Sequence, residues 1–318
     1  MSFRILGTGS FVPERIVTND DLSQMVETSD EWITKRVGVK QRHVCTTETV
    51  TELGVEAARR ALDSAGVRPE ELDLIIAPTI SADTISPGLG GMVQNRLGAH
   101  CPAFDINVAC PGFLFGLDVA AGFFARKAVK KVLVVSAERM SGLLDWTDRS
   151  TCCIFGDGAG AAVLGEGDNY LASELHTKGG DDIISIPTWW NNSPFYEREM
   201  PKNKVNMQGQ ETYKFAVTSM VNDIRSVMEK AGVTGEQVQA VIPHQANYRI
   251  INEARRRLPE IAPEKFFVNI EKYGNTSSAS EPILLDEINR AGLLQPGDIV
   301  VLSAFGGGLS SAACVVKW

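Results

Sequence analysis

Cys110 is the chain's candidate nucleophile. The segment FDINVAC reads as a strand and PGFLFGLDVAAGFF as a buried helix, so Cys110 falls at the junction, at or just before the helix start. Unpaired N–H groups and the helix dipole favour negative charge there. A thiolate is the reactive form of cysteine, and helix N-termini lower its pKa. Pro111 is expected at the first helical position, where its missing N–H costs nothing. A lone cysteine in an apolar stretch is more often packing than catalysis, so its partners decide. His244, in VIPHQAN, follows a hydrophobic strand, and strand ends on loops are where rigid scaffolds present functional groups. Asn275, in KYGNTSSAS, lies in a loop opening a helix, where a turn or N-cap role is the alternative. Gly306, Gly307 and Gly308 follow another buried strand. Consecutive glycines let backbone N–H groups approach a ligand and form an oxyanion hole, or simply make a flexible hairpin.

The elements that must position these residues come in two copies. ALDSAGVRPEELDLIIAPT, from Ala61, and SVMEKAGVTGEQVQAVIPHQ, from Ser226, both read as helix, Ala-Gly stop, polar link and apolar strand. KKVLVVSAE and GDIVVLSAF are both buried strands ending in Ser-Ala. Gly66 and Gly232 lie 166 residues apart, Ser136 and Ser303 lie 167 apart, and Cys110 and Asn275 lie 165 apart. Between these landmarks each half has a further strand, loop and helix; the second begins FFVNIEKYGNTSSAS. Three landmarks at nearly one offset predict two similar halves, 1–166 and 167–318, of mixed α/β layers. Strands apolar on both faces are strands covered on both sides. Cys110 comes from one half, His244 and Asn275 from the other, so the site is expected at their interface.

Composition sets the outer bounds. The 318 residues suffice for a large core, and 44% hydrophobic with 22% charged residues excludes disordered and fibrous classes. A net charge of -8 argues against nucleic acid as a partner. No C-x-x-C pair occurs among the six cysteines, against a structural zinc or redox pair. No apolar run is long enough to span a membrane and the first residues do not read as a secretion signal, so the cytoplasm is the expected compartment. FGDGAGAAVLGEG looks like a nucleotide loop, but the strand-like AAVLG follows its glycines where a helix is required.

The segments DINVACPGF, IPHQAN, GNTSSAS and FGGG, with N-terminal GTGSFVPERIVTNDDL and TSDEWITKRVGVKQRH, together resemble β-ketoacyl-acyl-carrier-protein synthase III of the thiolase superfamily. The resemblance runs nearly end to end. It implies a thiolase-like duplicated five-layer α/β/α/β/α fold and a homodimer. It also implies an activity: decarboxylative condensation of an acyl-coenzyme A primer with malonyl-acyl carrier protein through an acyl-cysteine, with no metal or redox cofactor. Residue by residue, it implies Cys110 as the nucleophile, the N–H groups of Cys110 and Gly307 as the oxyanion hole, and His244 with Asn275 as the pair that stabilises the enolate. Trp32 and Arg149 match positions holding the adenine end of coenzyme A, and Thr28, Arg36 and Asn247 other positions along its tunnel. Trp32 alone reads equally as a core anchor. Arg249, Arg255, Arg256 and Arg257 in YRIINEARRRLPE, with Lys214, resemble the carrier-docking surface, although a solvated helix face is the usual reading of a charge run.

Three positions depart from the family's pattern. Pro111 replaces a small residue. Glu281 replaces an aliphatic one, and either faces solvent or approaches the site. Ser86 stands where some relatives place a bulky Phe that closes the acyl pocket across the dimer, so a longer or branched primer is expected. The competing readings are a thiolase-superfamily acyltransferase or condensing enzyme of secondary metabolism, a Cys-His hydrolase and a non-catalytic subunit.

Overall fold

The apolar runs become the strands of two main sheets. The computed structural model describes residues 2–187, 194–195, 197 and 204–318. The first sheet has the order β1 (Ser2–Phe11), β7 (Asp157–Gly167), β6 (Lys131–Arg139), β4 (Leu74–Pro78) and β5 (Ala103–Ile106). The second has the order β11 (Val238–Pro243), β12 (Ile299–Gly306), β13 (Ser310–Lys317) and β8 (Tyr170–Thr177). Among the described residues two short pairs complete the strands: β2 (Ile16–Thr18) with β3 (Gln41–His43), and β9 (Ile184–Ser185) with β10 (Asn206–Met207).

Helices α5 (Gly112–Ala125) and α10 (Ser280–Arg290) contact strands of both sheets and form the middle layer. Helices α3 (Val50–Ala65) and α4 (Leu89–Leu97) cover the outer face of the first sheet. Helix α7 (Gly209–Ala231) covers the second, with α8 (Tyr248–Arg257) packed beside it. The result is a mixed α/β architecture of five layers, α/β/α/β/α. Short helices α1 (Asn19–Ser23), α2 (Asp30–Arg36), α6 (Arg149–Cys152) and α9 (Ile270–Tyr273) carry the connections.

Sequence dictates much of this locally. α3 starts at Thr49, whose hydroxyl accepts from Glu52 N while the Glu52 carboxylate accepts from Thr49 N. Such a reciprocal cap satisfies two otherwise orphaned donors and contributes about 1 kcal/mol. α3 and α7 both stop at a glycine in the left-handed region, Gly66 at φ 62° and Gly232 at φ 66°. A side chain there meets its own carbonyl, which is why both copies carry Gly. Between the sheets, Phe113, Leu117 and Phe124 of α5 and Leu284, Leu285 and Ile288 of α10 are buried with apolar strand residues of both sheets. Each such side chain contributes roughly 1.5–3 kcal/mol on burial, so the middle layer is also the glue between the halves.

The AAVLG segment lies inside β7, as its pattern requires, and no nucleotide loop forms there. Two expectations need correction. α5 begins at Gly112, and Pro111 is its N-cap residue at φ -74°, ψ 8°, one position before the expected one. The expected strand at FFVN does not form. Its one ladder contact is a bridge between Phe266 and Val241. The Gln245 side chain takes the place of the ladder: Oε1 accepts from Asn269 N at 3.0 Å and Ile270 N at 3.1 Å. A local side chain has outcompeted sheet pairing for these backbone donors.

Candidate active site

Cys110, His244 and Asn275 line one cavity of about 1170 Å³, together with Phe305 and Gly306–Gly308. Cys110 arrives on a strained turn. Ala109 sits at φ 50°, unusual for a residue with a Cβ. Its carbonyl accepts from Gly112 N at 3.0 Å, closing the turn that leads into α5. Gly306 backs the thiol: a Cβ there would stand 2.9 Å from both the Cβ and the N of Cys110. Only glycine lets β12 approach so closely. Gly307 lines the cavity next to it.

His244 follows β11 and is held by its backbone, with its N–H donating to Ser303 O at 2.7 Å. The ring is 1% exposed and lies edge-on to Phe305 at 5.3 Å. Nδ1 is 2.6 Å from Ser280 Oγ, whereas Nε2 is buried without a hydrogen-bond partner. Burial drives the imidazole pKa down to about 3, so the ring is neutral at physiological pH. Asn275 is pinned by a bridge to Phe155, and its Oδ1 accepts from Ser277 N at 2.8 Å. With Oδ1 turned back, Nδ2 is the part of the amide left to donate into the cavity. An imidazole nitrogen and an amide N–H thus converge beside a thiol.

The thiol itself corrects an expectation. Burial pushes Cys110 up to about 12; the neighbouring Ser277 side chain pulls it down, and Glu281 and Glu138 push it further up. Desolvation thus opposes the lowering expected from the helix start.

Sequence reasoning missed the polar residues behind these three. Glu138, fully buried at the end of β6, accepts from Ser278 Oγ at 2.7 Å, Ser81 Oγ at 2.5 Å and Ile80 N at 3.1 Å. Ser278 ties the Asn275 loop to the first sheet across 140 residues of chain. The run TSSAS carried a signal, since four small polar residues flank a buried helix start, but a turn explains it equally well. Glu281 does not face solvent. It is 0% exposed, with Oε2 3.1 Å from Ser280 Oγ and Oε1 3.5 Å from His244 Nδ1. That spacing suggests an ion pair. Burial, however, holds the imidazole neutral and raises the carboxyl well above the usual carboxylate range, so the contact is between groups that resist charge.

The other expected positions fall in separate places. Trp32 carries Arg149 over its ring at 5.1 Å and Arg36 at 5.9 Å. Arg149 Nη1 also donates to Glu27 O at 2.9 Å, beside Thr28. Asn247 lines the cavity and bridges to this group, its Nδ2 donating to Arg36 O at 3.2 Å. Its Oδ1 caps α8 by accepting from Arg249 N. Ser86 is exposed and outside the cavity lining of this chain; its neighbour Ile85 lines the cavity instead. Arg249 lies over the ring of Tyr213, a cavity residue, at 5.7 Å. Arg256 and Arg257 share Glu253 at 2.8 and 2.7 Å, Arg255 donates to Asn252, and Lys214 pairs with Glu211 at 2.8 Å. The basic run is therefore partly neutralised on its own helix. Among the described residues no group of His, Cys, Asp and Glu could hold a metal, and no helix is long and apolar enough to cross a membrane.

Comparison with known proteins places this arrangement. Residues 104–179 match the family described as 3-Oxoacyl-[acyl-carrier-protein (ACP)] synthase III, and residues 228–318 match its C-terminal part. The chain is 44% identical to Beta-ketoacyl-[acyl-carrier-protein] synthase III of Clostridium acetobutylicum, covering 100% of this chain and 99% of the relative. Among solved structures it superposes on 3-oxoacyl-[acyl-carrier-protein] synthase III from Aquifex aeolicus with a TM-score of 0.92, at 43% identity over 99% of this chain and 100% of that one. It superposes equally well, with a TM-score of 0.93, on the priming β-ketosynthase of the R1128 polyketide pathway, at 35% identity over 99% of this chain and 96% of that one. A five-layer fold, a cavity shared by Cys110, His244 and Asn275, and end-to-end identity at this level lead to one conclusion: the chain belongs to the β-ketoacyl-[acyl-carrier-protein] synthase III family, the acyl-transferring condensing enzymes of thiolase fold.

Proposed function

We propose that the chain condenses an acyl-coenzyme A primer with malonyl-acyl carrier protein, releasing carbon dioxide and giving a 3-oxoacyl-carrier product, the step that starts fatty-acid synthesis. The observation that carries this reading is the convergence of a thiol, a neutral imidazole with a free Nε2 and an amide with a free Nδ2 on one cavity. Cys110 attacks the thioester carbonyl, and the N–H groups of Cys110 and Gly307 receive the oxyanion. Coenzyme A departs. Malonyl-carrier then loses carbon dioxide, and His244 Nε2–H and Asn275 Nδ2–H donate to the enolate oxygen. A neutral histidine suits this work, because an imidazole that does not gain charge near neutral pH can present Nε2–H when the enolate forms. The carbanion attacks the acyl-cysteine and the thiolate leaves.

Trp32, with Arg149 and Arg36 over its ring and Thr28 nearby, offers an aromatic and cationic seat for the nucleotide end of coenzyme A, and Asn247 joins that seat to the cavity. Arg249, over the ring of the cavity residue Tyr213 and outside the Glu253 cluster, is the arginine best placed to meet an acidic carrier, with Lys214, Arg256 and Arg257 as further basic groups of the same surface. The reading includes a homodimer working in the cytoplasm without metal or redox cofactor, and an acyl pocket left roomy where Ser86 would meet it across the dimer. The likeness to a priming polyketide synthase supports a second reading, condensation in secondary metabolism through the same chemistry.

Intact mass measurement after incubation with a series of acyl-coenzyme A thioesters tests the proposal. We expect a gain of one acyl group, with loss of at least about 10⁴-fold in activity and no gain in Cys110→Ser. A folded enzyme that takes no acyl group from any thioester would refute the reading, and a strict preference for acetyl would refute the roomy pocket.

A further inference from the structure

α10 carries a carboxylic acid that the condensation, as described, does not use. Glu281 is fully buried on the far side of His244 from the cavity. A carboxyl without a purpose is expensive there, since burying an unsatisfied polar atom costs roughly 1–3 kcal/mol, and Oε1 has no hydrogen-bond partner. Oε2 is 3.1 Å from Ser280 Oγ, and Ser280 Oγ is 2.6 Å from His244 Nδ1. Beyond the ring, Nε2 is unpartnered in the wall of the cavity that Cys110 also lines. Carboxyl, hydroxyl and imidazole therefore form one continuous line ending at the cavity.

A serine hydroxyl has one proton to give. When Ser280 donates to an ionised Glu281, it accepts from Nδ1–H, and Nε2 shows the cavity a lone pair. When Glu281 is protonated, it donates to Ser280, Ser280 donates to Nδ1, and Nε2 shows the cavity an N–H. The first arrangement can take a proton from a thiol. The second can hold an enolate.

We propose that Glu281 is a positioning residue that stores the Cys110 proton and so sets the tautomer of His244. The S–H bond of Cys110 breaks as Nε2–H forms; the Nδ1 proton passes to Ser280 Oγ, and the Ser280 proton passes to Glu281 Oε2. Negative charge moves from carboxylate to thiolate and no net charge is created in the buried site. His244 is left with Nε2–H, the form the second half-reaction needs. When Cys110 leaves as thiolate at the end of the cycle, the proton returns along the same line. Coenzyme A thiolate takes its proton from solvent. This deepens the condensing reading and rests on it for the cycle, but the proton transfer itself needs no substrate.

The groups around Glu281 allow one shared proton. His244 faces it from the loop after β11, Cys110 from the turn before α5 and Cys314 from β13. Glu138 of β6 acts on the same thiol. On its own helix, Asp286 is occupied by Thr8, Ser10 and Arg290, and Glu287 by Asn269 and Lys272. β7 meets the helix through Gly158 and Gly160. Burial raises both the Cys110 thiol and the Glu281 carboxyl; the carboxyl is intrinsically the stronger acid of the two, so the one negative charge of the proposed line rests on Glu281 until the thiol gives up its proton.

Iodoacetamide labelling of Cys110, followed from pH 6 to 9 by peptide mass, tests this without substrate, alongside long-range ¹H–¹⁵N spectra of the four histidines. In the parent enzyme we expect a shallow pH dependence and a His244 signal that changes from Nδ1–H to Nε2–H when Cys110 is alkylated. Glu281→Gln must release the thiol proton to solvent. Its labelling is expected to fall at least about tenfold at pH 7 and to climb about tenfold per pH unit, with no change of tautomer. Ser280→Ala, which leaves Glu281 in place, is expected to match it, and the double variant to be no worse than either. Plain electrostatics predicts the opposite sign, since removing a nearby carboxylate makes a thiol more acidic. Faster labelling in Glu281→Gln, or identical tautomers in parent and variant before and after alkylation, would overturn the proposal.

Discussion

The two middle helices occupy matching places in the duplicated fold and differ in what they bury. α5 buries Phe113, Leu114, Leu117, Ala120 and Phe124. α10 buries Ser280, Glu281 and Asp286 beside its aliphatic residues. The strands leading to them differ in the same way. β4 ends at Pro78 and is followed by Thr79, whose hydroxyl bonds inward to Ala137 O at 2.8 Å. β11 ends at Pro243 and is followed by His244, which keeps Nε2 unpartnered. One half sets the nucleophilic thiol at the start of an apolar helix. The other, at the same offset, sets groups that give and take protons. Duplication supplied the frame, and divergence at a handful of buried positions divided the labour.

That division can be broken where the halves touch. Gly306 of the second half has no room for a side chain against Cys110 of the first. Gly306→Ala is expected to lower kcat/KM about 10²-fold, as a misplacement of about 1 Å at a reacting atom does, with the acyl-enzyme forming slowly in rapid-quench mass measurements. A smaller effect is expected at the second half's surface. Arg249→Ala is expected to raise KM for malonyl-carrier about tenfold, the equivalent of about 1.4 kcal/mol, while acylation by acyl-coenzyme A is unchanged. Equal losses in both half-reactions would remove the carrier-docking role. A third effect is one of stability. His244 has its pKa depressed from 6.5 to about 3 in the folded chain, so its contribution is present above pH 6.5 and is lost as pH falls toward 3. The melting temperature of the parent is expected to fall more steeply over that range than that of His244→Asn.

The duplication was legible because it rests on local signals: Gly66 and Gly232 stop helices, and continuous apolar runs make covered strands. Cys110, His244 and Asn275 were legible because each stands at the end of such an element. What escaped depends on contacts between halves. Ser278 becomes a partner of Glu138 only when residues far apart in the chain meet, and locally the polar run TSSAS reads equally well as a turn. The height of the Cys110 pKa escaped for a related reason. A helix start is visible in sequence, but the desolvation that opposes it is a property of the packed interface. The FFVN strand was mispredicted because Gln245, one residue beyond His244, claims the backbone donors that pairing would have used.

The central claim is that the first half carries the acyl group and the second half makes the carbanion. Asn275→Ala separates the two most directly, with intact mass recorded after acyl-coenzyme A and again after malonyl-carrier is added. The account predicts a variant that gains the acyl mass on Cys110 to the parent's extent and then keeps it, with no carbon dioxide released and no 3-oxoacyl-carrier formed. A variant that discharges its acyl group onto malonyl-carrier at the parent's rate, or that never acquires it, would contradict the account.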